Sequence, residues 1–272
     1  MCETCGCDAA GAPRLTTLPA PDHALGRDTA LGHDPAPGRD TAHDNDPAHD
    51  HDRPHGRDHA HVVPLGQRVL AHNDDLAGRN RAWLAERGVL ALNMMSSPGS
   101  GKTTLLERTV ADLGPSRPVS VIEGDQETLL DARRLAAAGA RTVQVNTGSG
   151  CHLDAAMVAD ALTALEAPDG STVFIENVGN LVCPALFDLG ERARVVLMSV
   201  TEGADKPLKY PHMFRGADVL LLNKIDLLPY VDFDVDACRD AARRVRPGLS
   251  LLPVSATRGD GLDSWYDWLA DA

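Results

Sequence analysis

The sequence predicts a mostly parallel, doubly wound α/β sheet with helices on both faces, preceded by a polar tail. Seven short apolar runs, each bounded by polar or turn residues, are typical of buried strands. Helical patterns with one apolar stripe lie between most of these runs, and strands that alternate with helices usually form a parallel sheet. Residues 8–61 have few branched or aromatic side chains, so we expect this segment to be disordered.

The composition limits the classes of function. With 272 residues the chain has room for one α/β domain of ordinary size and a surplus of several dozen residues. Asp and Glu number 39 against 26 Lys and Arg, so general binding to nucleic acid or to an anionic membrane is not expected. No apolar run approaches the roughly 20 residues that cross a bilayer, and the first residues do not resemble a secretion signal. We therefore expect a cytoplasmic protein whose cysteines stay reduced.

The chain divides into a cysteine motif over residues 1–7, the polar segment 8–61 and a globular domain over 62–272. The polar segment is either a solvated linker or a loose store of metal ions. Clustered imidazoles among carboxylates bind nickel, copper and zinc, which favours storage but selects no single metal. The segment holds eight of the eleven histidines: His23, His33, His43, His49, His51, His55, His59 and His61.

The globular domain is predicted to open with an amphipathic helix over residues 67–87, whose apolar positions begin at Val69. Helical patterns also cover residues 105–113 and 153–165. The predicted strands lie at residues 89–95, 118–122, 142–145, 172–175, 195–200, 219–222 and 249–254.

A glycine-rich segment, SSPGSGKTT at residues 96–104, follows the first of these strands and precedes a helical pattern. Strand, loop and helix in this order form a P-loop, although the common pattern has glycine where this chain has Ser96. The backbone N–H groups of such a loop surround a β-phosphate, its lysine contacts the β and γ oxygens, and its threonine hydroxyl binds Mg²⁺. The predicted phosphate-binding residues are Gly99, Ser100, Gly101, Lys102, Thr103 and Thr104.

The tetrapeptide NKID at residues 223–226 follows another predicted strand, at the sheet edge where ligands bind in open α/β folds. The Asp226 carboxylate is suited to accept hydrogen bonds from the ring N–H and the exocyclic amine of guanine, and adenine has no such pair of donors. Asn223 is expected at the other edge of the base and the Lys224 stem along its face. Ser255 and Ala256 are expected to bring a backbone N–H to the guanine carbonyl. The predicted nucleotide is therefore GTP.

Two carboxylates follow predicted strands close to the P-loop strand, at Asp125 and Glu176. Each is a candidate to hold Mg²⁺ directly or through water, and the ordinary alternative for each is a helix cap or a surface charge. Gly179 is expected to offer its backbone N–H to the γ-phosphate. No glutamine or arginine finger is identifiable, so we expect slow intrinsic hydrolysis, with Lys102, Asp125 and Glu176 as the catalytic candidates.

The N-terminal motif places three thiolates, Cys2, Cys5 and Cys7, within six residues. Three sulfurs with the terminal amine are suited to Ni²⁺, and a tetrahedral Zn²⁺ site remains an alternative.

A second group of metal-ligand residue types lies in two loops that follow strands, at Cys151, His152 and Cys183. Two thiolates and an imidazole leave one coordination position open, or two subunits supply ligands together across a two-fold axis. Cys238 lies in a helical pattern without such neighbours, and we interpret it as a small core residue.

Taken together, these motifs resemble the HypB family of hydrogenase-maturation GTPases. The resemblance rests on the cysteine motif, the His-rich tract, residues 97–104, Cys151-His152, the segment 176–184 and NKID. It implies a nickel metallochaperone that hydrolyses GTP, forms a nucleotide-linked homodimer and loads nickel into the large subunit of [NiFe]-hydrogenase with a HypA-type partner. It also implies that Cys2, Cys5 and Cys7 form the tight nickel site and that Cys151, His152 and Cys183 form a weaker nickel or zinc site at the dimer interface.

We hypothesise that GTP with Mg²⁺ orders the loops of Asp125 and Glu176 and so changes metal coordination at Cys151, His152 and Cys183. Hydrolysis would then time metal release. Two other functions remain open: a urease-type accessory GTPase, which lacks the cysteine motif, and a nickel storage protein with a vestigial GTPase domain.

Overall fold

The computed structural model describes residues 13–20 and 59–272, with side chains described for 13–20 and from residue 68 onward. Cys2, Cys5, Cys7 and the histidines between residues 21 and 58 lie outside the described residues, so the predictions made for them stay predictions. Among the helices of the described ranges, none has both the length and the apolar character of a bilayer-crossing segment.

The described residues form one sheet of eight strands with helices on both faces. The strands are β1 Arg14–Leu18, β2 Leu90–Ser96, β3 Val119–Asp125, β4 Arg141–Asn146, β5 Thr172–Glu176, β6 Ala193–Ser199, β7 Val219–Asn223 and β8 Ser250–Pro253. The α-helices are α1 His59–Glu86, α2 Lys102–Leu113, α3 Leu130–Ala137, α4 Ala155–Leu165, α5 Lys206–Lys209, α6 Pro211–Arg215, α7 Val235–Val245 and α8 Leu262–Asp271. Two 3₁₀ helices cover Cys183–Leu186 and Ile225–Tyr230.

The spatial order of the strands is β1-β4-β3-β5-β2-β6-β7-β8, and only β1 runs antiparallel to its neighbour. The predicted P-loop strand β2 lies in the middle of the sheet, between β5 and β6. Because β2, β3, β5 and β7 are parallel, their carboxyl ends meet at one edge, where open α/β sheets bind ligands. The predicted fold class, a doubly wound P-loop sheet, is confirmed.

The core lies on both faces of this sheet because successive strand residues point to opposite sides. In β5, Phe174 packs against the apolar side chains of α2 and α8, whereas Val173 and Ile175 pack against those of α1 and α4. All three side chains are fully buried. Continuous burial on both faces explains why the predicted strands appear as unbroken apolar runs in the sequence.

The predicted disorder of residues 8–61 is wrong at Arg14–Leu18, which form β1 and pair with β4 from Arg14 opposite Asn146 to Leu18 opposite Thr142. Four of the five β1 residues are exposed, so no buried apolar pattern marks this strand in the sequence. Backbone pairing with the open edge of β4 stabilises it instead. Helix α1 also begins earlier than predicted, at His59. Its first part contains Pro64 and Gly66, the two residue types least favourable within a helix, and therefore does not read as helical in the sequence.

Candidate nucleotide and metal site

The P-loop lies between the end of β2 and the first turn of α2. Gly99 and Gly101 have φ values of 74° and 97°, which residues with a Cβ rarely adopt. A Cβ on Gly101 would also lie 2.6 Å from the Asn223 side-chain nitrogen. Lys102 is buried and donates a hydrogen bond from Nζ to Ser96 Oγ, 3.1 Å away. The residue that departs from the common P-loop pattern is therefore a direct partner of the lysine.

A cavity of about 540 Å³ opens beside this loop at the carboxyl ends of β2, β3 and β5. Its volume is in the range of small-molecule binding sites. A second cavity, of about 340 Å³, lies at the opposite edge of the sheet, beside the start of β2. The lining of the larger cavity includes these predicted site residues: Gly99, Ser100, Gly101, Lys102, Thr103, Thr104, Asp125, Glu176, Gly179 and Lys224.

Glu176 is buried at the wall of this cavity, and its Oε1 accepts a hydrogen bond from Thr103 Oγ1 at 2.8 Å. Its Oε2 is buried and has no hydrogen-bond partner in the described part of the chain. Burial raises the pKa of Glu176, and the nearby Lys102 ammonium opposes this shift. A threonine hydroxyl beside a carboxylate with one unused oxygen is a donor set that fits Mg²⁺.

Asp125 also lies at the cavity wall, but its carboxylate is engaged by the turn that follows β3. Oδ1 accepts from the Gln126 N–H at 2.7 Å, and Oδ2 accepts from the Thr128 N–H and hydroxyl at 3.0 and 2.8 Å. These bonds hold the 125–128 turn in place. The geometry therefore favours an indirect contact of Asp125 with a metal, through water, over direct ligation.

Glu123 is a cavity residue that the sequence analysis missed. It is buried, and its Oε2 has no hydrogen-bond partner among the described residues. Burial, and then the neighbouring Glu176 carboxylate, raise the pKa of Glu123 to about 9. Glu123 is therefore a neutral carboxylic acid at pH 7, and it lessens the negative charge around the cavity.

The residues predicted to recognise guanine lie together beside the P-loop. The Asn223 amide donates from Nδ2 to the Ser100 carbonyl at 3.0 Å, and its Oδ1 accepts from the Ala256 N–H at 3.1 Å. Ser255 Oγ donates to Asp226 Oδ1 at 2.6 Å. Asn223 thus joins the P-loop to the loop after β8. The Ala256 N–H bonds to Asn223 and the Ser255 N–H bonds to the Asp260 carbonyl at 2.8 Å, so both N–H groups of the segment predicted to reach the guanine carbonyl have partners within the chain. The scaffolding contact of Asn223 was not expected from the sequence.

Lys224 is one of two non-glycine residues with a positive φ in the described ranges, at 63°. Its Nζ donates to the Gly99 carbonyl at 2.7 Å, so its stem crosses the mouth of the P-loop. This position is consistent with a side chain that lies along a bound base.

The second group of predicted ligands also comes together. One ligand atom from each of Cys151, His152 and Cys183 lies within 4.8 Å of the others, and all three residues are half-buried. The His152 ring stacks on Phe187 with centroids 4.0 Å apart, and burial lowers the pKa of His152, which favours the neutral ligand form. Two sulfurs and an imidazole nitrogen suit nickel or zinc.

Cys238 does not join this group. It is fully buried in α7, its Sγ lies 3.7 Å from Met198 Sδ, and burial raises its pKa to about 11. The prediction that Cys238 is a core residue is confirmed.

Hydrogen bonds connect the loop that carries Cys151 and His152 to both strand ends at the cavity. The Thr147 N–H donates to the Asp125 carbonyl at 2.9 Å, and Gln126 Nε2 donates to the Gly150 carbonyl at 3.2 Å. On the other side, the Leu153 N–H donates to Asn177 Oδ1 at 3.1 Å. Asn177 follows Glu176 directly and is buried. The two candidate sites therefore share one bonded framework.

Arg134 is a further cavity residue without a signal in the sequence, since it lies within an ordinary helical pattern. Its Nη2 lies 3.2 Å from Thr104 Oγ1 and 2.6 Å from Glu107 Oε2. Its Nη1 lies 2.9 Å from Asp131 Oδ1. Arg134 thus joins α3 to the P-loop helix α2.

Comparison with known proteins identifies the family. Residues 90–253 match the family model of the CobW/HypB/UreG nucleotide-binding domain. The hydrogenase maturation factor HypB of Escherichia coli strain K12 is 59% identical over 201 residues, which cover 74% of this chain and 69% of that protein. The chain belongs to the HypB family. The HypB of Azotobacter vinelandii is 55% identical over 210 residues, 77% of this chain and 69% of that protein.

Solved HypB structures share the fold. Archaeoglobus fulgidus HypB superposes with a TM-score of 0.70 at 40% identity, over 74% of this chain and 98% of that one. Helicobacter pylori HypB, solved in complex with nickel, gives a TM-score of 0.69 at 39% identity, over 74% and 94% of the two chains. The HypB resemblance stated from the motifs is confirmed.

Proposed function

We propose that this protein is a GTP-hydrolysing nickel metallochaperone that acts in the cytoplasm during maturation of [NiFe]-hydrogenase. The observation that carries the proposal is the bonded framework between the phosphate cavity and the Cys151, His152 and Cys183 group. The HypB relatives, named as hydrogenase maturation factors, and the nickel complex of the Helicobacter pylori protein support it.

In this proposal the P-loop N–H groups and Lys102 bind the phosphates of GTP, and Asp226 selects guanine. Thr103 and Glu176 hold Mg²⁺, which supplies positive charge at the β and γ oxygens. Gly179 passes next to the P-loop, since a Cβ there would lie 3.2 Å from Pro98 Cα. Gly179 also lines the cavity, and in this proposal its backbone N–H bonds the γ-phosphate.

The cargo in this proposal is Ni²⁺, bound by Cys151, His152 and Cys183, and Zn²⁺ is a competitor for the same donors. Three donors leave one position of a tetrahedral or square-planar site open, and a second copy of the chain is suited to complete it. The proposed protein forms a nucleotide-linked homodimer. It acts with a HypA-type nickel-binding partner, and the final recipient of nickel is the large subunit of [NiFe]-hydrogenase.

Hydrolysis is tested by phosphate release from GTP with Mg²⁺. We expect slow turnover in the wild type and loss of turnover in Lys102→Ala, because the lysine stabilises charge on the transferring phosphoryl group. Arg243→Ala removes the same charge from the exposed surface of α7 and should keep the wild-type rate. A wild-type protein without turnover would instead indicate a nickel storage protein.

A further inference from the structure

Helix α1 carries two buried asparagines on one face. Asn73 and Asn80 are seven residues apart, close to two turns of helix, so their side chains project in nearly the same direction. Each residue is only 5% exposed. A buried amide costs stability unless its polar groups find partners, so the partners of these two amides show what this face of α1 holds in place.

The partners of both asparagines are backbone groups of two separate segments. Asn73 accepts a hydrogen bond at Oδ1 from the Ala155 N–H at 2.9 Å and donates from Nδ2 to the Asp188 carbonyl at 2.8 Å. Asn80 donates from Nδ2 to the carbonyls of Ala155 and Leu189, at 2.8 and 3.0 Å. Each asparagine therefore bonds to both segments at once.

These two segments carry the candidate metal ligands. The first ligand segment, residues 151–155, contains Cys151 and His152, and the second ligand segment, residues 183–189, contains Cys183. The chain between them passes through α4 and β5. The distance between the two sets of donors therefore depends on tertiary packing and not on a local turn.

The second ligand segment is also held at both of its ends. Directly after it, Gly190 has a φ of 89°, and a Cβ on this residue would lie 2.6 Å from the Ala77 carbonyl oxygen of α1. Glycine thus lets the backbone approach the helix closely. Within the segment, the Phe187 ring stacks on the His152 ring with centroids 4.0 Å apart. A shift of this segment away from α1 would therefore move the ring against which His152 packs.

We propose that Asn73 and Asn80 are positioning residues for the metal site, because they hold the two ligand segments at the separation at which all three donors reach one ion. One ligand atom from each of the three donor residues lies within 4.8 Å of the others. Donors that are already held together lose less conformational freedom when a metal binds than donors on independent loops. The asparagines act through the backbone and touch no metal. This inference rests on the proposed function for the identity of the metal.

The first test measures the separation of the two thiols in metal-free protein. In the full-length chain the three N-terminal cysteines are replaced by alanine, which leaves Cys151, Cys183 and the buried Cys238. Dibromobimane attaches to one thiol and then bridges to a second thiol that lies close by, and the product mass identifies bridges within one chain. We expect Asn73→Ala and Asn80→Ala each to slow the bridging step by about tenfold, because the second thiol is at a lower effective concentration.

Thr109→Val is the matched control for lost stability. Thr109 is fully buried in α2, and its Oγ1 accepts a hydrogen bond from Trp265 Nε1 at 3.0 Å, on the face of the sheet opposite α1. Its replacement leaves a buried donor unpaired, as Asn80→Ala leaves buried carbonyls unpaired, so it lowers stability without changing α1. We expect this variant to bridge at the rate of the parent chain. GDP affinity, measured for every variant, shows that the domain is folded.

The two asparagine variants are measured separately, so either one that folds is sufficient for the test. Bridging rates in the asparagine variants equal to that of Thr109→Val would overturn the proposal.

The second test measures nickel ligation in the same background. The thiolate-to-nickel charge-transfer absorption reports Cys151 and Cys183, since imidazoles of the His-rich segment give no such band. We expect the nickel affinity obtained from this band to fall by about 10- to 100-fold in each asparagine variant, and to be retained in Thr109→Val. Unchanged nickel affinity in the asparagine variants would show that the ion assembles the site without help from α1, which would also overturn the proposal.

The bridging experiment contains no nickel, so its outcome is separate from the proposed function. If the parent chain binds no nickel but the asparagine variants still bridge slowly, the metallochaperone proposal is removed. The role of α1 in positioning the two ligand segments would then stand.

Discussion

Ser96 shows how a single residue of the site departs from a common pattern and acquires a contact of its own. Its hydroxyl accepts a hydrogen bond from Lys102 Nζ at 3.1 Å and donates one to the Ser97 carbonyl at 2.8 Å. In the common P-loop this position is glycine, which has no side chain to make these bonds. The P-loop lysine is therefore positioned by a neighbour that the motif alone would count as a mismatch.

Glu123 carries the clearest prediction for pH dependence. Burial and the Glu176 carboxylate raise its pKa from 4.5 to about 9, so the folded protein keeps a proton that the unfolded chain loses. Between these two pH values the folded state binds more protons, and its stability falls as pH rises. Glu123→Gln keeps the shape without the titration. We compare the free energy of unfolding of Glu123→Gln with that of the wild type in magnesium-free buffer. The variant minus wild-type difference should be larger at pH 8 than at pH 5 by more than about 1 kcal/mol.

The matched control for this measurement is Glu127→Gln, on the exposed turn after β3. Its effect on the free energy of unfolding should be small at every pH, since surface substitutions usually change stability little. A gain for Glu123→Gln that is the same at pH 5 and pH 8 would show that this carboxyl is already ionised in the folded protein.

At the scale of elements, the contact between α3 and α2 places the Arg134 guanidinium at the wall of the nucleotide cavity. Arg134 bonds to Glu107 and Asp131 and lies 3.2 Å from Thr104 Oγ1. The cavity lining also contains the carboxyl groups of Asp125, Asp131 and Glu176, the neutral acid Glu123, and the ammonium groups of Lys102 and Lys224. A bound polyphosphate adds further negative charge, so removal of this guanidinium increases the repulsion.

We therefore expect Arg134→Ala to weaken GDP and GTP binding by about tenfold, equivalent to about 1.4 kcal/mol. Added salt should reduce the difference from wild type because it screens the charges. Arg133→Ala, on the exposed side of the same helix, is the control. Equal losses in the two variants, or a loss that salt leaves unchanged, would show that the position of Arg134 does not matter for nucleotide binding.

The loop connections supply a second prediction at this scale. Asn177, the residue after Glu176, accepts a hydrogen bond at Oδ1 from the N–H of Leu153. Leu153 is the residue after His152, so this bond joins the two loops. Asn177→Ala leaves that buried N–H without its acceptor, which costs about 1–3 kcal/mol of stability. It also removes a connection between the nucleotide and metal loops. We expect the nickel affinities of the GDP-bound and GTP-analogue-bound forms to become more similar in this variant.

The control is Asn180→Ala, in the same segment, whose side chain bonds only the nearby Val182 N–H among the described contacts. This variant should keep the wild-type difference in nickel affinity between the two nucleotide forms. If Asn177→Ala also keeps the full difference, the connection at Leu153 does not carry the coupling.

At the scale of the whole molecule, the sequence predicts those structural features that a single contiguous segment encodes. Strand β5 is buried at every position and is visible as an apolar run, and the P-loop and NKID are contiguous motifs. Strand β1 had no such signal, because its partner β4 lies far along the chain and its own side chains are exposed. The contacts of Arg134 with α2 and of Asn177 with Leu153 also join segments that are distant in the sequence, so no local sequence pattern predicts them.

In the proposed function, the guanine nucleotide and the nickel ion act on one bonded framework. The most direct measurement is nickel titration of the full-length protein with GDP and with a non-hydrolysable GTP analogue, each with Mg²⁺. Allosteric couplings are typically about 1–3 kcal/mol, so we predict nickel affinities that differ by about 5- to 150-fold between the two forms. Equal nickel affinities in the two forms would contradict the account.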